Sequence, residues 1–164
     1  MSNQSIIEEI SKIHSAQLKN TSIKNKKLLI CFSGIAGAGK TYIAKILEER
    51  YRGVRIRSDD IRDIVRSLGS GGIDNITYKY LEWFFNNYHF KNGLMILDKG
   101  IDRKYKETFS LFSKKGYKIF IIRVKVSRKL SEERIRKKLG KLDENYINSI
   151  DRWINEWEEF GKKG

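Results

Sequence analysis

Hydrophobic residues along this chain follow two alternating patterns, short continuous runs and helical spacing. The continuous run over 28–33 is typical of a central parallel strand that is covered on both faces, and further strands are predicted over 54–58, 94–98 and 117–126. Apolar residues that recur every three or four positions predict helices, here over 41–50, 59–68, 75–92, 103–115, 131–138 and 146–160. Because strands and helices alternate, we expect an α/β fold with a mostly parallel sheet and right-handed crossovers.

Two predicted helices stand out from this alternating pattern, one by its position in the chain and one by its composition. Residues 1–20 form a predicted amphipathic helix that precedes the alternating core and is followed by the polar stretch NTSIKNKK. The helix over 75–92 carries many aromatic residues. Such a stripe is more often core packing than a surface on which nucleic-acid bases stack, and core packing is our interpretation.

Length and composition indicate a single globular domain. The chain has 164 residues, of which 40% are hydrophobic and 33% charged. The N-terminus has no basic leader and no apolar span, so we expect a cytoplasmic protein without a membrane partner. The single cysteine, Cys31, lies within the first apolar run and is expected to be buried and reduced.

Charge narrows the choice of ligands. The formal net charge is +14, and residues 102–141 contain 15 lysine and arginine residues against four acidic residues. A field of this sign favours nucleotides, nucleic acids, phosphorylated metabolites or acidic lipid surfaces. The alternative is an ordinary solvated surface, so charge alone does not identify a partner.

The segment GIAGAGKT (34–41) matches the phosphate-binding pattern G-x-x-x-x-G-K-[ST], between a predicted strand and a predicted helix. The glycines allow a tight bend whose N–H groups point at phosphate oxygens, and the helix adds its positive dipole end. Lys40 is predicted to reach the β- and γ-phosphates, and the Thr41 hydroxyl to bind Mg²⁺. The predicted nucleotide-binding residues of this loop are Gly34, Ala36, Gly37, Ala38, Gly39, Lys40 and Thr41.

A carboxylate that helps to hold the metal is expected at the end of a neighbouring strand. Asp98 follows the apolar residues LMIL, which is the usual form of a Walker B aspartate. The alternative is a strand-end aspartate that caps the next helix. Asp98 is our predicted second metal residue.

The segment RIRSDDIRDIVRSLG (55–69) follows the second strand at the same sheet edge as the loop. Phosphoryl transfer to an alcohol needs a base and a cation for an acidic acceptor, and Asp59 and Arg62 are three residues apart on one helical face. The alternative is helix capping by Ser58 or Asp59, with Asp60 favouring the dipole. Capping by one residue does not exclude catalysis by another.

The motifs GIAGAGKT, SDDIR, ILD and SEERIRKKLGK together resemble small P-loop kinases, the group with phage-type polynucleotide 5′-kinase, zeta-toxin-like kinases, gluconate kinase and adenylylsulfate kinase. The resemblance runs from about Lys27 to Arg136. It implies a three-layer α/β/α P-loop NTPase fold with four to five strands, and a kinase domain over 27–164 that uses ATP and Mg²⁺. It also implies that Asp59 is the general base, with Asp60 as the alternative, and that Arg62 binds the acceptor.

By the same resemblance, residues 127–141 look like a lid that lowers arginines over the transferring phosphates. Arg134 matches the lid arginine, which makes the predicted catalytic residues Lys40, Asp59 and Arg134. Arg136 is our choice for a second contact with the nucleotide. The competing residues are Lys137, Lys138 and Lys141, and the alternative for each is a solvated basic surface.

The sequence departs from this group in two places. KGIDRKYKE follows Asp98 where an Asn-containing segment is common, and a single predicted helix follows the lid, so the sheet is expected to have four strands or to borrow a fifth. We expect an ATP-dependent kinase that transfers the γ-phosphoryl group to a hydroxyl of a small molecule, a nucleotide or a nucleic-acid 5′ end. Small acceptors are favoured.

A nucleotide-dependent ATPase switch or nucleic-acid-binding module without kinase activity is the alternative function. Lys99 follows Asp98 where a motor-type ATPase has a glutamate, which argues against that type. The acceptor, the choice between ATP and GTP and the oligomeric state are left open by the sequence.

Overall fold

The structure is a computed structural model that describes residues 3–18, 27–87, 93–102, 104–141 and 144–162. Its helices are α1 (Asn3–Gln17), α2 (Lys40–Tyr51), α3 (Ser58–Ser67), α4 (Ile73–Asn87), α5 (Tyr105–Lys114), α6 (Arg128–Leu139) and α7 (Glu144–Gly161). Its strands are β1 (Lys27–Ser33), β2 (Val54–Arg57), β3 (Gly93–Gly100) and β4 (Lys118–Arg123). Most of the predicted polar linker, and the predicted end of the aromatic helix over 88–92, lie outside the described residues.

The described strands form one parallel sheet in the order β2-β3-β1-β4. This confirms the predicted α/β class, with the four-strand alternative. Because all four strands run the same way, the loops after their carboxyl ends gather at one edge. β1 pairs with β3 in register up to Cys31 and Leu97, and the next pair is Phe32 with Gly100. This register shift falls beside Asp98 and Lys99 of β3.

Helices cover the two sheet faces unequally. The larger core cluster joins one face to buried residues of α1, α3, α4, α5 and α7. The smaller cluster joins the other face to Ala44 of α2. The aromatic side chains Tyr80, Phe84 and Phe85 of α4 are buried in the larger cluster, which confirms the core-packing interpretation of that stripe.

The N-terminal helix is part of the larger core. Ile6 and Ile10 of α1 are buried against α3 and α4, and the buried His14 shares a 2.8 Å hydrogen bond between its Nδ1 and the Tyr80 hydroxyl. Cys31 is also buried, as expected, and burial raises the pKa of its thiol to about 12. Within the described part of the chain, none of the helices has both the length and the apolar composition needed to span a membrane.

His14 predicts a pH dependence of stability. Burial lowers its pKa from 6.5 to about 4, with only partial opposition from the charge of Asp60. Between these pH values the unfolded chain binds a proton that the folded chain does not, so the free energy of unfolding decreases by about 3 kcal/mol as pH falls from about 6.5 to about 4. Urea unfolding of wild type and His14→Gln across this range measures the difference.

Carboxylates that titrate in the same range affect both chains equally and cancel in the comparison. The His14→Gln chain should therefore lose about 3 kcal/mol less stability than wild type over this range. Equal losses in the two chains would contradict a buried neutral imidazole.

Candidate nucleotide-binding cleft

The phosphate loop connects β1 to α2 and has glycine where the backbone requires it. Gly37 and Gly39 have positive φ angles of 71° and 101°, a region that side chains other than glycine rarely adopt. A Cβ atom on Gly37 would lie 2.8 Å from the Ser131 carbonyl oxygen of α6, and one on Gly34 would lie 2.7 Å from the Val124 carbonyl oxygen. The loop is therefore closely packed against the segment that follows β4.

Lys40 begins α2 and turns its side chain into the loop. Its ammonium group donates hydrogen bonds to the carbonyl oxygens of Gly34 at 2.6 Å and Ile35 at 2.7 Å. Burial lowers the pKa of Lys40, while the negative charges of Asp102 and Asp98 raise it. The Lys40 ammonium group thus lies against the backbone of the phosphate loop. A phosphate group bound there would meet both a positive charge and backbone N–H donors.

Thr41 and Asp98 are brought together from different elements. The Thr41 hydroxyl donates to Asp98 Oδ1 at 3.0 Å, and Arg55 of β2 donates to Asp98 Oδ2 at 2.9 Å. The Asp98 side chain is only 1% exposed, and Arg55 is bound in turn by Glu48 at 2.8 Å. Arg55 was missed by the sequence analysis because its partners lie 7 and 43 residues away.

The hydroxyl and carboxylate fit the part of a Mg²⁺ site that a protein provides when substrate phosphates supply the other oxygens. Thr41 would bind the ion, and Asp98 would orient it. Among the described residues, no group of three or more His, Cys, Asp or Glu side chains could hold a metal ion.

Asp59 and Arg62 lie at the start of α3 and bind each other. Arg62 donates from Nη1 to Asp59 Oδ1 at 2.8 Å and from Nε to Asp74 at 2.8 Å. Arg57 binds the other Asp59 oxygen at 3.0 Å and also binds Asp60 at 3.0 Å. The Asp59 side chain is 47% exposed, so a carboxylate held by two guanidinium groups remains open to solvent.

The prediction that Ser58 or Asp59 is the N-cap of this helix was wrong, while the predicted position of Asp60 near the helix dipole is confirmed. α3 begins at Ser58, which leaves Arg57 at the N-cap position without a side-chain hydrogen bond to the helix end. The Ser58 hydroxyl instead accepts from Arg62 at 3.3 Å. Asp59 and Asp60 do lie in the first turn, where the helix dipole favours a negative charge.

The predicted lid forms α6 and packs on the outside of the phosphate loop. Ser131 Oγ donates to the Ala36 carbonyl oxygen at 2.7 Å. Arg134 Nη1 donates to the carbonyl oxygens of Gly37 at 3.1 Å and Ala38 at 3.4 Å. Arg136 is exposed on the same helix. Arg134 is thus beside the loop that it was predicted to serve, while a contact of Arg136 with nucleotide stays a prediction.

A cleft of about 520 Å³ opens beside the loop. Its described lining comes from the phosphate loop, α3, α4, the end of β3 with the segment after it, and α7: Gly34, Ala36, Lys40, Ser58, Arg62, Asp74, Tyr78, Lys99, Gly100, Asp102, Lys104, Arg152, Trp153 and Glu156. Lys40 and Arg62 therefore share one cavity. Asp59 is hydrogen-bonded to Arg62 at its wall.

Several lining residues were not predicted from the sequence. Asp102 accepts from Ser33 Oγ at 2.6 Å and from the Gly34 backbone N–H at 3.2 Å, which fixes the start of the loop. Lys99 lies near the carboxyl end of β3 and Asp102 just after it, and this position is the signal that could have found them. Arg152 and Trp153 of α7 lie about 110 residues beyond the loop, and no local pattern marks them.

Solved structures with a similar fold include kinases and a toxin–antitoxin protein. A chain of the PezAT chromosomal toxin–antitoxin system of Streptococcus pneumoniae has a TM-score of 0.74 and 19% identity, covering 99% of this chain and 74% of that one. A candidate kinase from Chloroflexus aurantiacus has a TM-score of 0.61 and 16% identity, covering 78% and 76%. A gluconokinase from Sinorhizobium meliloti has a TM-score of 0.49 and 13% identity, covering 78% and 74%.

The sheet order, the phosphate loop and the similar structures define the fold as one that small P-loop kinases share. A sequence model of the AAA domain family matches residues 29–156. Since this match covers most of the chain, the protein belongs to the AAA domain family. The predicted resemblance to small P-loop kinases is therefore confirmed. No curated protein matches the sequence.

The packing of α6 on the loop predicts the effect of adding one methyl group. Gly37→Ala puts a Cβ atom 2.8 Å from the Ser131 carbonyl oxygen at a φ of +71°. Gly72→Ala is a matched control, because Gly72 has a φ of +67° and a Cβ atom there would meet nothing within 4 Å. Both variants carry similar backbone strain, and Gly37→Ala should lose about 1–3 kcal/mol more stability through overpacking.

Urea unfolding of the two variants beside wild type gives this difference directly. Equal destabilisation by the two substitutions would mean that α6 does not press on the loop.

Proposed function

We propose that the protein is an ATP-dependent kinase that transfers the γ-phosphoryl group to a hydroxyl of a small molecule or nucleotide. The observation that carries this proposal is that Lys40 of the phosphate loop and Arg62 of α3 line one cleft of about 520 Å³. A donor triphosphate held by the loop and an acceptor held at α3 would then face each other across the same cavity. The kinase-type fold supports the same function.

The donor half of the cleft binds the triphosphate. N–H groups of the loop and the N-terminus of α2 bind phosphate oxygens, and Lys40 adds a positive charge beside the transferring group. Thr41 would hold Mg²⁺ and Asp98 would orient it, and the ion supplies neutralisation of the phosphate charge when bound. Arg134 acts from α6, where its contacts with Gly37 and Ala38 stabilise the loop.

The acceptor half supplies the base and its positioning. Asp59 accepts the proton of the acceptor hydroxyl as the acceptor oxygen bonds to the γ-phosphorus and the bond to the bridging oxygen of ADP breaks. Arg57 and Arg62 each bind one oxygen of Asp59, which fixes the orientation of its carboxylate. Arg62 also faces the cleft and can bind an anionic group of the acceptor.

Asp59→Asn tests the base. The amide keeps the shape of the side chain but accepts no proton, so phosphate transfer should decrease by about 10²- to 10⁴-fold. Asp63→Asn is the matched control, since Asp63 lies on the same helix, is 66% exposed and forms an ion pair with Arg66. The measurement is label transfer from γ-labelled ATP to a panel of metabolites, nucleotides and oligonucleotides.

Full transfer by Asp59→Asn would overturn the assignment of the base. Labelled inorganic phosphate without a labelled acceptor anywhere in the panel would favour the alternative, a nucleotide-hydrolysing switch. A labelled oligonucleotide 5′ end would move the acceptor from the small molecules to nucleic acid.

A further inference from the structure

Three cations from separate elements meet in the acceptor half of the cleft. Arg62 lies on α3, Lys99 near the end of β3, and Lys104 just before α5, and all three line the cavity. Three positive charges from different elements therefore share one cavity.

Strand geometry directs Lys99 to the acceptor half. Successive side chains of a strand point to opposite faces. Leu94 and Ile96 of β3 belong to the core cluster under α2. Asp98 lies on the same side, where it binds Thr41. Met95 and Leu97 belong to the cluster under α3 and α4. Lys99 lies at the register shift that follows, and it lines the same cavity as Arg62 of α3 and Tyr78 of α4.

Most charged groups around Lys99 already have partners. Arg62 binds Asp59 and Asp74, and Lys104 lies 5.3 Å from the centre of the Tyr78 ring. Two acidic residues are close to Lys99 in sequence. Asp98 accepts hydrogen bonds from Thr41 and Arg55. Asp102 accepts hydrogen bonds from Ser33 and from the Gly34 N–H.

Lys99 itself has no such partner. Among the described residues, nothing forms a hydrogen bond or an ion pair with its ammonium group. A half-buried cation beside two other cations is unfavourable unless an anion compensates its charge.

We propose that Lys99 binds a phosphate group of the acceptor, between Arg62 and Lys104, and so selects phosphorylated acceptors over neutral ones. This inference rests on the proposed function, since it assigns the acceptor half of the same cleft. A phosphate fits because two ammonium groups and a guanidinium fork offer several donors and a matching positive charge. Lys99 is thus a specificity-determining residue at a position where the sequence departs from related kinases.

Pyrophosphate titration by calorimetry tests this subsite apart from kinase activity. The measurement uses the Lys40→Ala chain, in which the phosphate loop no longer competes for the probe. Adding Lys99→Met should weaken pyrophosphate binding by about 10- to 100-fold, because a charged hydrogen bond is lost. Adding Lys106→Met, an exposed lysine of α5, should leave binding unchanged, and Lys99→Arg should largely restore it.

Equal affinity in the Lys99→Met and Lys106→Met chains, or no pyrophosphate binding in the Lys40→Ala chain, would overturn the subsite. Lys99→Met removes an uncompensated charge, so it should melt no lower than its parent, and a lower melting temperature would equally contradict the proposal. Nucleotide binding by the wild-type chain is measured separately. If the Lys40→Ala chain does not bind pyrophosphate while the wild-type chain binds nucleotide, the subsite alone is refuted. If the Lys40→Ala chain binds pyrophosphate through Lys99 while the wild-type chain binds no nucleotide, the kinase alone is refuted.

Discussion

The buried carboxylate of Asp98 links the parts of the molecule on which the cleft depends. It lies on the central strand β3, accepts a hydrogen bond from Thr41 at the start of α2, and pairs with Arg55 of the edge strand β2. A carboxylate that is 1% exposed must keep these partners, since removing one partner of a buried ion pair costs about 3–5 kcal/mol. These hydrogen bonds therefore fix the start of α2, the end of β3 and strand β2 relative to one another.

The end of β3 contributes one residue to each half of the cleft. Asp98 faces α2 and the loop, where the donor nucleotide and its metal are proposed to bind. Lys99, one residue later, faces α3 and α4, where the acceptor is proposed to bind. On the donor side, α6 packs against the loop through hydrogen bonds from Ser131 and Arg134. The two halves thus meet at neighbouring residues of β3, where Asp98 is proposed to orient the metal and Lys99 is proposed to select the acceptor.

Local patterns predicted the parts of this arrangement that local interactions determine. The loop over 34–41 and the carboxylate of Asp98 are recognisable because both follow apolar strand residues directly. The aromatic residues of α4 were correctly assigned to the core from their helical spacing. The positions of strands along the chain also implied a parallel sheet, whose carboxyl edge holds the cleft.

Long-range contacts could not be predicted in the same way. Arg55 resembles any polar residue on an alternating edge strand, yet its guanidinium group binds the central aspartate. The wall formed by Arg152 and Trp153 depends on how α7 returns to the cleft, which no spacing within α7 reveals. The predicted amphipathic helix α1 likewise gave no sign that His14 would pair with Tyr80 in the core.

The most direct test of the account is the affinity of the chain for ATP with and without Mg²⁺, compared between wild type and Thr41→Val by calorimetry. The Thr41 hydroxyl, which donates to Asp98 at 3.0 Å, is proposed to hold the metal. Mg²⁺ should therefore strengthen ATP binding to wild type, and Thr41→Val should remove most of this gain. Absence of affinity for any nucleotide, or a gain from Mg²⁺ that survives in Thr41→Val, would contradict the account.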